Sequence, residues 1–115
     1  MTRLAALAVA MAVTLGLCEP AEATLHWVNN ASVKVIEPYQ GASFVISFSV
    51  SDASCTNTTT PDKYFYVTVG VDGVDTDQAK SLLAIALYAK VQAVTVSYLY
   101  DDSTSNCNVS AILIN

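Results

Sequence analysis

The sequence predicts one mainly β domain of the α+β class, with a single helix, over residues 24–115. Three observations carry this prediction. Several short segments alternate apolar and polar residues with a period of two, as strands with one buried face do. Residues 79–91 are good helix formers without glycine or proline. Two cysteines, Cys55 and Cys107, remain once an N-terminal leader is set aside.

The leader is residues 1–23, which we interpret as a cleavable signal peptide. Arg3 supplies a positive charge, and the apolar run at residues 4–17 is too short to span a hydrocarbon core of about 30 Å. Small residues before Thr24 favour cleavage at that point. Lipoprotein attachment at Cys18 is an alternative, which the bulky Leu17 disfavours. The mature domain is therefore predicted to be secreted or periplasmic.

The charge of the predicted mature chain limits its partners. Residues 24–115 contain four lysines and eight acidic residues, which gives a net charge of −4. A chain of this charge repels phosphate backbones, so nucleic acid is not an expected partner. The lysines are scattered rather than clustered against an anionic membrane surface, and residues 24–115 contain no apolar run long enough for a membrane span.

The cysteines are predicted to form a disulfide between Cys55 and Cys107, because export places them in an oxidising compartment. The alternatives are a metal site or a reactive thiol. A metal site would need further ligands, and only His26 and scattered aspartates are available. We therefore expect no metal and no cofactor.

The predicted elements follow one another along the chain. Strands are expected at residues 25–36, 43–51, 64–71, 93–100 and 109–114. In the second strand, the even positions hold Phe44, Ile46 and Phe48, whereas the serines occupy odd positions. This alternation predicts one buried face and one solvent-exposed face. Asp75 and Gln78 form a capping-box pattern before the helix at residues 79–91. The order β-β-β-α-β-β is that of the OB-fold, a five-stranded, partly open Greek-key barrel.

The helix is apolar over most of its circumference. One face has helical spacing, but Ile85 and Tyr88 fall outside it. Two interpretations stay open: these side chains are partly exposed, or they form a second buried face at a subunit contact.

A family resemblance adds to this interpretation. The run KSLLAIALYAK at residues 80–90, then VTVSY at 94–98, an acidic loop, Cys107 and a closing ILI strand look like the carboxy-terminal half of a group of small secreted bacterial proteins. That group is similar to the OB-fold B subunits of AB-type toxins, of the subtilase cytotoxin B-subunit type. The resemblance covers about residues 44–115 and includes both cysteines. It implies a homopentamer, a glycan ligand on host cells and an enzymatic A subunit as partner.

The sequence thus predicts a non-enzymatic, secreted binding module for carbohydrate. Its ligand surface is expected along the second and third strands and the loops at residues 37–42 and 101–106, because aromatic rings there can stack on sugars. The alternative is a structural or assembly subunit without a small-molecule ligand, with Ile85 and Tyr88 at its contact face. A hydrolase is disfavoured because His26 is the only histidine and no triad can be assembled around it. Candidate ligand-binding residues are Trp27, Tyr39, Tyr64, Tyr66, Asp101 and Asp102, of which the two aspartates are either a solvated loop or a calcium or sugar-hydroxyl site.

Overall fold

The architecture comes from a computed structural model that describes residues 24–115; the predicted signal peptide and Cys18 lie outside this range. Six strands and one helix make up the described chain. Their bounds are β1 Leu25–Ala31, β2 Val33–Pro38, β3 Phe44–Phe48, β4 Tyr64–Val67, α1 Thr76–Gln92, β5 Val96–Asp101 and β6 Val109–Ile114.

The strands form two three-stranded antiparallel sheets, in the orders β1-β5-β6 and β2-β3-β4. The mainly β class and the helix that follows the β2-β3-β4 sheet are confirmed. No backbone ladder among residues 24–115 joins the two sheets into a closed barrel. The sheets approach one another beside β4, where the Tyr66 N–H donates to the Asn106 carbonyl at 3.1 Å.

The predicted first strand is divided in two at Ser32. Its first half, β1, pairs with β5, and its second half, β2, pairs with β3. Ser32 is held at the division by Ser49, whose N–H donates to the Ser32 carbonyl at 2.9 Å and whose Oγ accepts from the Ser32 N–H at 2.9 Å. Asn30 has a positive φ of 59°, and the register shifts between Val28 and Ala31, so the chain bends from one sheet into the other. The order is therefore β-β-β-β-α-β-β.

Strand β3 is buried on both faces. Phe44, Ile46 and Phe48 enter the core as predicted. Val45 and Ser47 are also buried, although their face was predicted to be exposed to solvent. The reason is that β3 is the middle strand of its sheet and has larger side chains beside it on that face, with Tyr66 opposite Val45 and Tyr64 opposite Ser47.

Helix α1 begins with the predicted capping box. The Gln78 N–H donates to Asp75 Oδ1 at 2.8 Å, and the Asp75 N–H donates to Gln78 Oε1 at 3.0 Å. The helix therefore starts at Thr76, before the predicted residue 79, and ends at Gln92 against Ala93 in the left-handed conformation. It packs on β2 and β6 through four buried residues, Ala79, Leu82, Ala86 and Ala89.

Three of the remaining strands have other bounds than predicted: β3 covers Phe44–Phe48 rather than residues 43–51, and β4 and β5 also differ. Strand β6 has the predicted bounds, and β5 is shifted towards Asp101. Strand β4 stops at Val67 rather than residue 71, because the chain turns there: the Val71 N–H donates to the Thr68 carbonyl and the Gly70 N–H to the Val74 carbonyl. Gly70 has a φ of +94°, which a residue with a side chain rarely adopts.

Candidate functional site

Three of the predicted ligand-binding residues lie together on the outer side of the β2-β3-β4 sheet. Phe65 and Val67 of β4 enter the core, so Tyr64 and Tyr66, of opposite parity, point away from it. The Tyr39 ring, just after β2, meets the Tyr66 ring edge-on with centroids 5.5 Å apart. We call Tyr39, Tyr64 and Tyr66 the tyrosine face. Tyr39 is 52 % exposed and the other two are half-buried, so the rings remain accessible.

Polar loops border the tyrosine face. Asn57 organises them: its Oδ1 accepts from the Tyr64 N–H at 3.0 Å, and its Nδ2 donates to the Ser105 carbonyl at 3.2 Å. The Tyr66 N–H reaches the Asn106 carbonyl in the same loop. Backbone and side-chain hydrogen bonds therefore fix residues 103–106, which are exposed, beside the tyrosine rings.

The disulfide joins the same two loops. Cys55 and Cys107 are bonded, with Cα atoms 5.7 Å apart, which confirms the predicted pair. Both cysteines are buried. Lys63 Nζ adds to the order of the first loop by donating to the Asp52 carbonyl at 2.8 Å and the Cys55 carbonyl at 2.6 Å. The polar border of the tyrosine face is thus cross-linked covalently and by hydrogen bonds.

Trp27 lies on a different sheet from the tyrosine face. It sits on β1, opposite Leu99 of β5, and is 48 % exposed. Trp27 was predicted to share a ligand-binding surface with the three tyrosines because all four side chains are aromatic. The division of the chain at Ser32 separates them.

The Asp102 carboxylate is paired with a side chain of the protein itself. His26 Nε2 lies 2.9 Å from Asp102 Oδ2, and the histidine ring stacks on Tyr100 with centroids 5.2 Å apart. The Tyr100 hydroxyl donates to Asp52, and burial, followed by this hydrogen bond, raises the pKa of Tyr100 above its ordinary value. This group therefore ties the start of β1 to the end of β5.

Asp101 is buried and faces a second carboxyl group, that of Asp72. Burial, the hydrogen bond to Asp101 and its negative charge raise the pKa of Asp72 to about 6. Burial opposes ionisation of Asp101, but hydrogen bonds from Ser103 and Asp72 outweigh it and hold the pKa of Asp101 below its ordinary value. Below about pH 6, Asp72 is therefore the protonated member of this pair and Asp101 the ionised one.

We expect this pair to make the protein more stable at mildly acidic pH. Between pH 3.8 and about 6, folded Asp72 holds a proton that the unfolded chain releases, so the free energy of unfolding falls as pH rises through this window. The shift corresponds to at most about 3 kcal/mol, and solvent screening at this exposed side chain reduces it to about 1 kcal/mol. Asp72→Asn keeps a donor to Asp101 and tolerates the positive φ of 55° at this position.

Urea unfolding at about pH 4 and about pH 7 measures the effect. Wild type should lose about 1 kcal/mol more than Asp72→Asn between the two conditions. Asp62→Asn, in the loop before β4, is the matched control and should follow wild type. Equal pH dependence in wild type and Asp72→Asn would contradict the carboxyl pair.

The outer side of helix α1 contains the other predicted face. Tyr88 is 56 % exposed, whereas Ile85 is half-buried and packs against the core. Two residues that sequence reasoning missed extend the exposed apolar surface, Leu87 at 46 % and Val91 at 77 % exposed. Val91 follows Leu87 by four positions and Tyr88 by three, which places it beside both on the helix surface, and this spacing is the signal that could have found them. A subunit contact at this face stays a prediction.

Among residues 24–115, no group of three His, Cys, Asp or Glu side chains is placed to hold a metal ion. In the same part of the chain, no helix has both the length and the apolar composition to cross a membrane. Sequence reasoning also missed Asn57 as the organiser of the loops. Its only signal was an Asn-x-Thr pattern, which says nothing of its hydrogen bonds.

Comparison with known proteins does not add a family to this description. The chain matches no protein-family model, no curated protein and no solved structure. The resemblance to the B subunits of AB-type toxins therefore stays a prediction from the sequence, and what the site can bind follows from its own geometry.

Proposed function

We propose that residues 24–115 are a secreted, non-enzymatic carbohydrate-binding module, in which sugar rings stack on the tyrosine face. One observation carries the proposal: Tyr39, Tyr64 and Tyr66, from two separate segments, present accessible rings on one side of one sheet, next to an ordered polar loop. Aromatic rings offer apolar surface to the C–H faces of a sugar, while the neighbouring polar groups can bond its hydroxyls.

We further propose that the strands correspond to those of an OB-fold, and this correspondence favours the same surface. In our proposal, β1 and β2 together act as the first OB strand, which pairs with the fourth in one half and with the second in the other. OB-folds bind oligosaccharides on the face of their second and third strands and on the loops after the first and fourth strands. By this correspondence, those parts are β3, β4 and the loops at residues 39–43 and 102–108.

The polar loop suits this role because it is exposed and yet fixed. Ser105 and Asn106 use their backbone carbonyls to bond Asn57 and Tyr66, which leaves the Ser105 hydroxyl and the Asn106 amide to face solvent. A fixed loop loses little conformational freedom on binding, so more of the contact energy contributes to affinity.

A glycan array with folded, disulfide-intact protein tests the proposal. We expect binding that Tyr66→Ala and Tyr39→Ala each weaken about tenfold, since one stacking contact contributes roughly 1.4 kcal/mol. Tyr66→Phe retains the ring and should retain most of the affinity. Titration calorimetry with the best array ligand gives the affinities.

Trp27→Ala is the matched control, because it removes an exposed aromatic side chain from the other sheet. It should leave the affinity unchanged. An array without signal for protein of verified fold would overturn the carbohydrate ligand. Loss of binding in Trp27→Ala but not in the tyrosine variants would move the site to the β1-β5-β6 sheet.

A further inference from the structure

A concave site separate from the tyrosine face lies between helix α1 and the β2-β3 hairpin. It is a half-open cavity of about 320 Å³. Phe44, which is 2 % exposed, forms its floor and belongs to the core. Ile36, Ala42 and Leu83 line its walls and pack against the core, and Pro38 borders its mouth. The cavity is therefore an opening into the apolar interior.

The cavity offers few polar groups to a ligand. Ser43 is the one hydroxyl residue in its lining, and its Oγ already accepts from the Val69 N–H at 3.0 Å. The Ser43 N–H donates to the Gln40 carbonyl at 2.8 Å, and the Ser43 carbonyl accepts from the Tyr39 N–H at 3.1 Å. Because these backbone groups are used within the turn, the walls favour an apolar ligand.

Lys80 is the one charged residue that lines the cavity. Its ammonium has no hydrogen bond or salt bridge among residues 24–115. Lys63 and Lys90 differ, since each donates to a backbone carbonyl, Lys90 to that of Lys34 at 2.9 Å. An apolar cavity thus carries one positive charge with its donors unused.

We propose that this cavity binds a small amphiphilic carboxylate, with its apolar chain against Phe44 and Leu83 and its carboxylate beside Lys80 Nζ. The volume lies at the lower end of the range of about 300–1,000 Å³ for small-molecule sites. Burial of the chain supplies most of the affinity. The charge pair selects a carboxylate over a neutral head group of the same chain length.

Octanoate and octanol are the probes, because they share a chain and differ in charge. We titrate each into the protein and follow ¹H–¹⁵N NMR shifts and calorimetry. Octanoate should shift the Ala42 and Leu83 amides to saturation and bind about three- to fivefold more tightly than octanol, the gain of a partly exposed ion pair. Lys80→Gln should abolish this difference, and Lys80→Arg should keep it.

Lys34→Gln is the matched control: it removes the same charge from an exposed position of β2 outside the cavity lining. It should preserve the preference for octanoate. Absence of saturable shifts up to about 10 mM octanoate would overturn the site. Equal affinities for the two probes, or the same loss in Lys34→Gln as in Lys80→Gln, would overturn the carboxylate assignment. Tyr66→Ala should bind octanoate normally, so the outcome is independent of the carbohydrate proposal.

Discussion

Replacing Cys55 and Cys107 together by alanine is expected to lower the free energy of unfolding by about 4 kcal/mol. The disulfide joins residues that are 52 positions apart, and in the chain-entropy model, closing a loop of that length removes this much freedom from the unfolded chain. A small domain has only about 5–10 kcal/mol of net stability, so most of it depends on this bond.

The loss should be accompanied by a loosening of the site. The bond joins the two loops that border the tyrosine face, and without it they keep the hydrogen bond from Asn57 Nδ2 to the Ser105 carbonyl. Urea unfolding gives the stability, and hydrogen exchange at the Tyr64 and Tyr66 amides reports the loops.

Wild-type protein held reduced by dithiothreitol is the control, because it keeps both cysteine side chains and lacks only the bond. It should match the double alanine variant within about 1 kcal/mol. A double variant that unfolds within about 1 kcal/mol of the oxidised wild type would contradict the expected dependence on the disulfide.

Local patterns predicted those elements that local interactions determine. The capping box at Asp75 and Gln78 involves residues three positions apart, so the start of the helix follows from the sequence. Strand β6 likewise has the predicted bounds. In both cases, the information needed lies within a few residues.

Features set by distant pairing could not be predicted in this way. The division of the first strand at Ser32 depends on Ser49, seventeen positions away, and the segment reads as one alternating run. The prediction that one face of β3 is exposed to solvent was wrong for a similar reason. Alternation at Val45 and Ser47 is typical of a half-exposed strand, but nothing local reveals that β3 is the middle strand of its sheet.

The candidate site, too, could be predicted only as far as local sequence determines it. Each tyrosine could be named from its residue type, but the approach of Tyr39 to Tyr66 depends on the pairing of β2, β3 and β4. The cavity beside Lys80 depends on where helix α1 packs against β2. No periodicity within the helix indicates which of its lysines has an apolar cavity beside it.

Tyr98 lies at the centre of the aromatic core, where the two sheets meet. Its ring stacks on Phe48 of the other sheet, with centroids 3.7 Å apart and planes inclined by 8°. Phe65 meets it edge-on at 5.1 Å. The Tyr98 hydroxyl donates to the Val50 carbonyl at 2.7 Å, and burial raises the pKa of Tyr98, so the hydroxyl stays a neutral donor.

We expect Tyr98→Ala to lower the free energy of unfolding by about 3–5 kcal/mol, because it leaves a cavity beneath two aromatic rings and removes the hydrogen bond to Val50. Tyr98→Phe keeps the ring and loses only that hydrogen bond, so it should cost about 1 kcal/mol. Urea unfolding of both variants separates the packing of the ring from the bonding of its hydroxyl.

Tyr88→Ala is the matched control. It also removes a tyrosine, but Tyr88 is 56 % exposed on the helix, whereas Tyr98 is fully buried. It should change the stability by no more than about 0.5 kcal/mol. If Tyr98→Phe destabilised the protein as much as Tyr98→Ala, the hydroxyl rather than the stacked ring would hold the sheets together. The contact between the sheets would then depend on the bond from β5 to the segment after β3, and the stack of Tyr98 on Phe48 would be its consequence.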